Sequence, residues 1–147
     1  MSSVFESAVR LLARREHGAH ELTNKLVLKG FSKTDVQEAL IECQRLGLQS
    51  DARFVENLSR TRIRQGYGPL RIRRELQHLQ VNIELVDDAL RHEQDNWLSY
   101  AISAWKKKYK KEEALSYASL QKQKQFLLYR GFTTDTIAMI FNNPLKL

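Results

Sequence analysis

The sequence predicts an all-α fold of three tandem three-helix repeats in an elongated, curved array. The 147-residue chain is rich in residues that lose little in a helix, and it has only 6 Gly and 2 Pro. Sandwiches and doubly wound sheets need many more turns than these residues supply. Apolar residues recur at three- and four-residue steps, and the whole pattern recurs after about fifty residues. A repeat of that length indicates a stacked helical array.

The first repeat, residues 1–48, holds three helical patterns. One stripe of an amphipathic helix is formed by Phe5, Ala8, Val9, Leu12 and Ala13. Leu22 and Leu26 mark a shorter second helix. Ser32 is a favourable N-cap for the third, because its hydroxyl can accept a hydrogen bond from a free N–H of the first turn.

The second repeat, residues 49–94, copies the first. Asp51 can cap its first helix, Pro69 suits the first position of its second, and Asn82 can cap its third. A shift of fifty residues superposes core on core and cap on cap. The matched pairs are Gly18 and Gly68, Leu22 and Ile72, Leu26 and Leu76, Phe31 and Val81, Ser32 and Asn82, Val36 and Val86, Ala39 and Ala89, and Leu40 and Leu90.

The third repeat, residues 95–147, is altered. Its first helix carries Trp105, and its second is expected to be longer, from about Glu112 to Arg130. A shift of fifty-one residues aligns its end with the second repeat. The matched residues are Leu127, Phe132, Thr133, Ile137, Ile140 and Phe141.

Charge and cysteine content restrict the classes of protein. The chain has 24 Lys and Arg against 17 Asp and Glu, a formal net charge of +7, which predicts an acidic partner. The single cysteine, Cys43, lies on an apolar stripe and fits a reducing compartment. No signal peptide and no membrane-spanning run are visible, so we expect a cytoplasmic protein with no membrane contact. Nothing argues for a stable oligomer, and we expect a monomer.

The most distinctive segment, Ser59 to Leu76, concentrates arginine around a glycine-rich turn. Two arginine-bearing helix faces joined by Gly66-Tyr67-Gly68-Pro69 can form one cationic patch, because guanidinium groups suit phosphate and carboxylate alike. The alternative is a solvated face, which is less favoured because acids that could pair with the arginines are scarce nearby. The arginines are Arg60, Arg62, Arg64, Arg71, Arg73 and Arg74.

A second basic element is the run from Lys106 to Lys111. Its flanking aromatics, Trp105 and Tyr109, resemble the stacking residues of a nucleic-acid site. They are also four residues apart, which is the spacing of a helix core, and we favour core positions for both. The lysines suit either a solvated face or an acidic partner.

Catalytic and metal-binding patterns are weak. His17 and His20 lack the metalloprotease spacing, and no third or fourth ligand accompanies them. No glycine loop of the nucleotide-binding type is present. The sequence therefore predicts no catalytic residue, no metal site and no cofactor, and the protein is not expected to be an enzyme.

Four segments resemble the RecX family of recombination regulators. They are Leu12 to His17 with Glu21-Leu22 and Lys25-Leu26, then Asp51 to Val55, then Arg64 to Pro69 with Arg71-Ile72 and Glu75-Leu76, and finally Lys122 to Phe132. They span nearly the whole chain in the family's order, and the third is the most specific.

The resemblance implies a bacterial cytoplasmic protein of DNA recombination, repair and the SOS response. It would lie in the groove of the RecA–DNA filament, oppose filament extension and reduce RecA's ATPase, strand-exchange and coprotease activities. Single- and double-stranded DNA would be weaker, non-specific partners. A DNA-binding protein that competes with RecA for single strands remains the alternative.

Charge and motif position together select the residues expected to contact the partner. Gly66, Tyr67, Gly68 and Pro69 are instead expected to shape the turn. The expected contact residues are Arg60, Arg64, Arg71, Arg73, Arg74, Lys106, Lys107, Lys108, Lys110, Lys111, Lys124 and Arg130.

Overall fold

A computed structural model describes residues 3–109 and 116–142. These residues form nine α-helices and no strand, and the prediction of an all-α fold of tandem three-helix repeats is confirmed. The helices are α1 (Val4–Arg14), α2 (Ala19–Leu28), α3 (Lys33–Arg45), α4 (Asp51–Arg64), α5 (Pro69–His78), α6 (Ile83–His92), α7 (Trp97–Lys108), α8 (Tyr117–Tyr129) and α9 (Thr134–Phe141).

Corresponding positions of the repeats are buried alike. Leu26, Leu76 and Leu127 are fully buried, each near the end of the second helix of its repeat. The third helices begin with the same device, because the side chains of Ser32, Asn82 and Thr133 each accept a backbone N–H of the first turn. A side-chain oxygen in that position satisfies a donor that the helix itself cannot.

The second helices also end alike. The second residue after the helix adopts a positive φ in all three repeats: +103° at Gly30, +54° at Gln80 and +94° at Gly131. In each repeat the N–H of the following residue reaches back to a buried leucine, as Phe31 N–H does to the carbonyl of Leu26 at 3.3 Å. Such left-handed closures end a helix while pairing its last carbonyls.

The described chain divides into two compact units, Met1–Leu58 with Leu76–Val86 and Ser59–Glu75 with Asp87–Leu147. The first contains an apolar core contributed by α1, α2 and α3. The second contains α7, α8 and α9, with Trp105 and Phe141 packed edge to face at 5.5 Å. The core residues of the first unit are Ala8, Leu11, Leu22, Leu26, Val36, Leu40 and Cys43.

Two predicted helix starts are wrong. Helix α4 is capped by Ser50, whose Oγ accepts from Arg53 N at 3.2 Å, and not by Asp51. Asp51 lies within α4, and its carboxylate accepts the N–H of Ala19 at 2.8 Å, where Gly18 offers no side chain to cap α2. Helix α8 begins at Tyr117 after the cap Ser116, and not near Glu112, which lies outside the described residues.

Candidate functional site

The turn between α4 and α5 ends one helix and starts the next within four residues. Gly66 has a φ of +88°, and its N–H donates to the carbonyl of Ile63 at 2.9 Å. Tyr67 N–H donates to Arg62 O at 3.0 Å, which completes the left-handed closure of α4. Pro69 then begins α5, where its missing N–H costs nothing.

Gly68 brings this turn into direct backbone contact with the end of α8. Its N–H donates to the carbonyl of Arg130 at 2.7 Å, and Leu70 N–H donates to the carbonyl of Gly131 at 2.9 Å. A Cβ on Gly68 would lie 2.6 Å from the backbone carbon and oxygen of Gly131. Only a residue without a side chain permits so close an approach.

Two of the arginines predicted to contact the partner pack against the ring of Tyr67. The guanidinium carbon of Arg71 lies 4.2 Å from the centre of its ring, and that of Arg130 lies 4.8 Å away. Arg130 also lies 5.0 Å from the ring centre of Phe126 and donates to the carbonyl of Gln65 at 2.9 Å. Cations held over ring faces are stabilised by the ring's negative face. The two guanidinium groups are therefore fixed beside the turn.

Two arginines of the cluster are paired with acids, although the sequence suggested that such acids are scarce nearby. Arg62 forms a bidentate pair with Glu75, with both N–O distances at 2.7 Å. The hydrogen bond to Glu75 raises the pKa of Arg62 above its usual value. Arg73 pairs with Asp87 at 2.6 Å, so part of its charge is already compensated.

The remaining arginines of this region are oriented towards solvent. Arg64 and Arg74 are exposed, and neither has an ion pair with an acid in the described part of the chain. Arg71 is exposed as well, beyond its contact with Tyr67. Arg60 is exposed on α4. The structure thus leaves Arg64, Arg71 and Arg74 as accessible cations on either side of the turn.

The lysines form a second basic surface at the end of α7. Lys106, Lys107 and Lys108 are exposed in its last turn, while Lys110 and Lys111 lie outside the described residues. Lys124 is half-buried, with its Nζ 5.9 Å from the ring centre of Phe141. These lysines belong to the same compact unit as the Tyr67 turn.

The aromatic residues that flank the lysine run pack inward. Trp105 is 8% exposed and donates from Nε1 to Oε1 of Gln123 at 2.7 Å, which confirms its predicted core position. Tyr109 is half-buried and packs edge to face on Phe126 at 5.8 Å. Neither ring is a free stacking platform of the kind that binds single-stranded nucleic acid.

His17 is buried among residues that hold its ring by hydrogen bonds. His17 is buried, and its Nδ1 lies 3.1 Å from the carbonyl of Arg15 while its Nε2 lies 3.0 Å from the Nζ of Lys25. Burial is the main cause that lowers the pKa of His17.

Within residues 3–109 and 116–142, no three His, Cys, Asp or Glu side chains come together as metal ligands. None of the helices described is long and apolar enough to cross a membrane.

Sequence reasoning missed the aromatic and polar contacts of the site. Phe126 and Gln65 both hold Arg130, yet neither was expected to take part. Both lie inside segments that carry the family resemblance, so motif position was the available signal. The positive φ of Gln80 was also missed, although its alignment with Gly30 and Gly131 pointed to it.

Family models of three RecX domains match this chain in order. The first three-helix domain matches residues 5–43, the second matches 50–90 and the third matches 94–141. Together they cover most of the sequence.

Curated relatives and solved structures agree with that match. A regulatory protein RecX of Legionella pneumophila (strain Corby) is 56% identical over 141 residues, covering 96% of this chain and 94% of the relative. Another, of Pseudomonas putida (strain W619), is 41% identical over 140 residues, 95% of this chain and 90% of the relative. The crystal structure of RecX from Lactobacillus salivarius has a TM-score of 0.77 at 20% identity, over 98% of this chain and 96% of that one. This last likeness concerns the fold.

Proposed function

The chain belongs to the RecX family of regulatory proteins, and we propose that it binds the RecA–DNA filament and blocks its extension. RecA's ATPase, strand-exchange and coprotease activities would fall as a result. The observation that carries this proposal is the set of accessible arginines beside the Tyr67 turn, Arg64, Arg71 and Arg74, of which Arg71 is held over the Tyr67 ring. A regulator acts on a filament only through the difference between its affinities for the extending and the blocked state.

The exposed arginines supply that difference if they meet acidic groups present only in the assembled filament. Arg64, Arg71 and Arg74 are accessible, and guanidinium groups pair with carboxylates and phosphates in fixed geometry. Arg71 is further ordered by Tyr67, so less side-chain entropy is lost when it binds. The rigid turn therefore favours a defined protein surface over a diffuse polyanion.

The decisive experiment titrates the protein into RecA's ATPase driven by single-stranded DNA. We expect inhibition at amounts far below those that would coat the DNA. An absence of inhibition at stoichiometric amounts would refute the proposal.

A triple variant, Arg64→Ala with Arg71→Ala and Arg74→Ala, tests the surface. We expect unchanged helicity by circular dichroism and binding to the filament weakened by roughly tenfold or more. The matched control removes three exposed charges from the first repeat, through Arg14→Ala, Lys29→Ala and Lys33→Ala. Equal weakening by both variants would mean that only net charge matters.

Competition for single-stranded DNA is the alternative function, and salt separates the two. Affinity for bare DNA falls steeply with salt because bound phosphates release counterions. If the filament is the target, binding to RecA–DNA should exceed binding to bare DNA at moderate salt. Loss of DNA binding and of RecA inhibition in parallel would favour the alternative.

A further inference from the structure

An open cleft of about 310 Å³ lies within the second unit, between the end of α4, the last turns of α7 and the end of α8. Its apolar lining includes Ile63, Ala104 and Phe126. Pockets that bind ligands begin at about this size, and it is enough for one large apolar side chain.

Cations surround this apolar lining. Arg64, Lys107, Lys108 and Arg130 all line the cleft, and no Asp or Glu is found among its lining residues in the described chain. The cationic side chains have no ion pair with a described acid. The cleft thus combines an apolar centre with four positive charges, and it is complementary to a ligand with the opposite arrangement.

The rings beside the cleft are already covered by cations. Lys108 Nζ lies 6.0 Å and the Arg130 guanidinium 5.0 Å from the ring centre of Phe126, and Tyr109 meets the same ring edge to face. Tyr100 packs edge to face on Trp97, with ring centres 5.7 Å apart, and donates its hydroxyl to Oε2 of Glu93 at 2.5 Å. Single-stranded nucleic acid is held by bases stacked on free rings, and this cleft offers none. A peptide needs no such platform.

We infer that this cleft docks an acidic peptide segment of a partner protein, with one apolar side chain inserted between Ile63, Ala104 and Phe126. Carboxylates on either side of that residue pair with Arg64 and Lys107. Buried apolar anchors supply affinity, while the charges at the rim supply steering and register. The inference rests on the proposed function and deepens it, because it specifies the chemistry of the segment that the partner presents.

Fluorescence anisotropy with synthetic peptides measures this binding directly. The probe is a short labelled peptide of Asp and Glu around a single central Phe. Its comparators replace the Phe with Ser, replace the acids with Lys, or substitute a labelled oligothymidylate. At moderate salt we expect the first peptide to bind roughly tenfold more tightly than any comparator. Equal binding of the Phe and Ser peptides, or tighter binding of the oligothymidylate, would overturn the inference.

Two neighbouring lysines provide a matched pair of variants. Lys107 lines the cleft, whereas Lys106 is exposed on the same helix and does not. We expect Lys107→Glu to weaken binding of the acidic peptide by roughly tenfold and Lys106→Glu by about twofold or less. Equal effects would show that the peptide responds only to the overall positive charge of α7 and not to the cleft.

A variant that fills the cleft tests the apolar anchor without changing charge. Ser103 lines the cleft and is exposed, so Ser103→Trp can be accommodated without disturbing the core. We expect an unchanged melting temperature and loss of the preference for Phe over Ser in the peptide. A folded variant that keeps the preference would refute docking in this cleft.

The same variants in the RecA ATPase assay separate the two proposals. Peptide binding without RecA inhibition by the wild-type protein would leave the cleft assignment intact and refute the proposed function. RecA inhibition that persists in Lys107→Glu and Ser103→Trp would refute the role of the cleft while the proposed function stands.

Discussion

His17 is held in one protonation state by its neighbours. The carbonyl of Arg15 can only accept, so Nδ1 carries the proton, and Nε2 accepts from the ammonium of Lys25. A second proton on the ring would displace the Lys25 hydrogen bond and place a charge in a site that is only 1% exposed. Burial, the first cause, therefore keeps the pKa of His17 below 6.5 in the folded protein.

This lowered pKa predicts a loss of stability in mild acid. Between the folded pKa and 6.5 the unfolded chain binds more protons than the folded chain does. The free energy of unfolding therefore has its full value above pH 6.5 and decreases as the pH falls below 6.5. Urea unfolding between about pH 5 and 8 measures the effect. We expect His17→Gln to flatten the profile in that window.

The control for this prediction is His78→Gln. His78 is exposed on α5, so this control makes the same substitution outside the buried site. A slope that survives in His17→Gln would place the titrating group elsewhere.

The close approach at Gly68 predicts that adding a single methyl group there lowers the free energy of unfolding. In Gly68→Ala the added Cβ would meet the backbone of Gly131 at 2.6 Å, so the turn or the end of α8 must shift. We expect a loss of about 2 kcal/mol or more in unfolding free energy. Gly47→Ala is the comparison, because Gly47 has a φ of +74° and nothing within 4 Å of its Cβ position. That change should cost only about 1–2 kcal/mol of backbone strain, and a Gly68→Ala loss below it would be inconsistent with close contact.

At the scale of elements, the turn that follows α5 has a residue with a side chain where the left-handed conformation favours glycine. Gln80 has a φ of +54°, where the corresponding residues of the other repeats are glycines. We expect Gln80→Gly to stabilise the protein by about 1 kcal/mol, because it removes left-handed strain from a side-chain-bearing residue. Thermal or urea unfolding measures the change.

Gln77→Gly is the matched control. Gln77 is exposed in the last turn of α5, where the same substitution should destabilise by up to about 1 kcal/mol through lost helix propensity. If both variants lose stability equally, the closure at Gln80 does not carry the strain inferred.

Elements were predictable where their signals are local. The caps Ser32, Asn82 and Thr133 follow from residue type and repeat position. Apolar periodicity located part of each core stripe, but in α1 it included the exposed Ala13 and left out the buried Leu11. Asp51 was misassigned because its acceptor role is non-local. It caps α2 from 32 residues away, and a preceding serine satisfies α4. Sequence spacing contains no information on such a partner.

The candidate site was predictable in composition and not in arrangement. Residue type marked the arginines and the glycine turn, but the pairing of Arg62 with Glu75 depends on how α4 and α5 face each other. The contact of Arg130 with Gln65 spans 65 residues. A contact this distant depends on tertiary packing, so it became visible only in three dimensions.

At the scale of the whole molecule, the first repeat depends on the residues that follow it. A Cβ on Gly18 would lie 3.1 Å from the Phe54 ring, and Arg53 pairs with Glu16 at 2.9 Å. Together with the hydrogen bond from Ala19 N–H to Asp51, these contacts hold the start of α2 and the residues before it against α4. Repeats of this size rarely bury enough apolar surface alone.

This dependence predicts that residues 1–48 do not fold as an isolated fragment. We expect no cooperative thermal transition by circular dichroism, whereas residues 1–94 should show one. The longer fragment contains every segment of the first compact unit, including Leu76–Val86. Cooperative melting of residues 1–48 alone would contradict the prediction and establish the first repeat as an autonomous domain.

The backbone contact between Gly68 and the end of α8 also determines when the turn can be completed during synthesis. On the ribosome the turn emerges first, with Gly68 N–H and Leu70 N–H still hydrogen-bonded to water, because the carbonyls of Arg130 and Gly131 have not yet been made. Domains generally fold as units while the chain is produced. The cationic surface around Tyr67 is therefore complete only when translation has passed the third repeat, and a prematurely terminated chain would carry the arginines without the geometry that orders them.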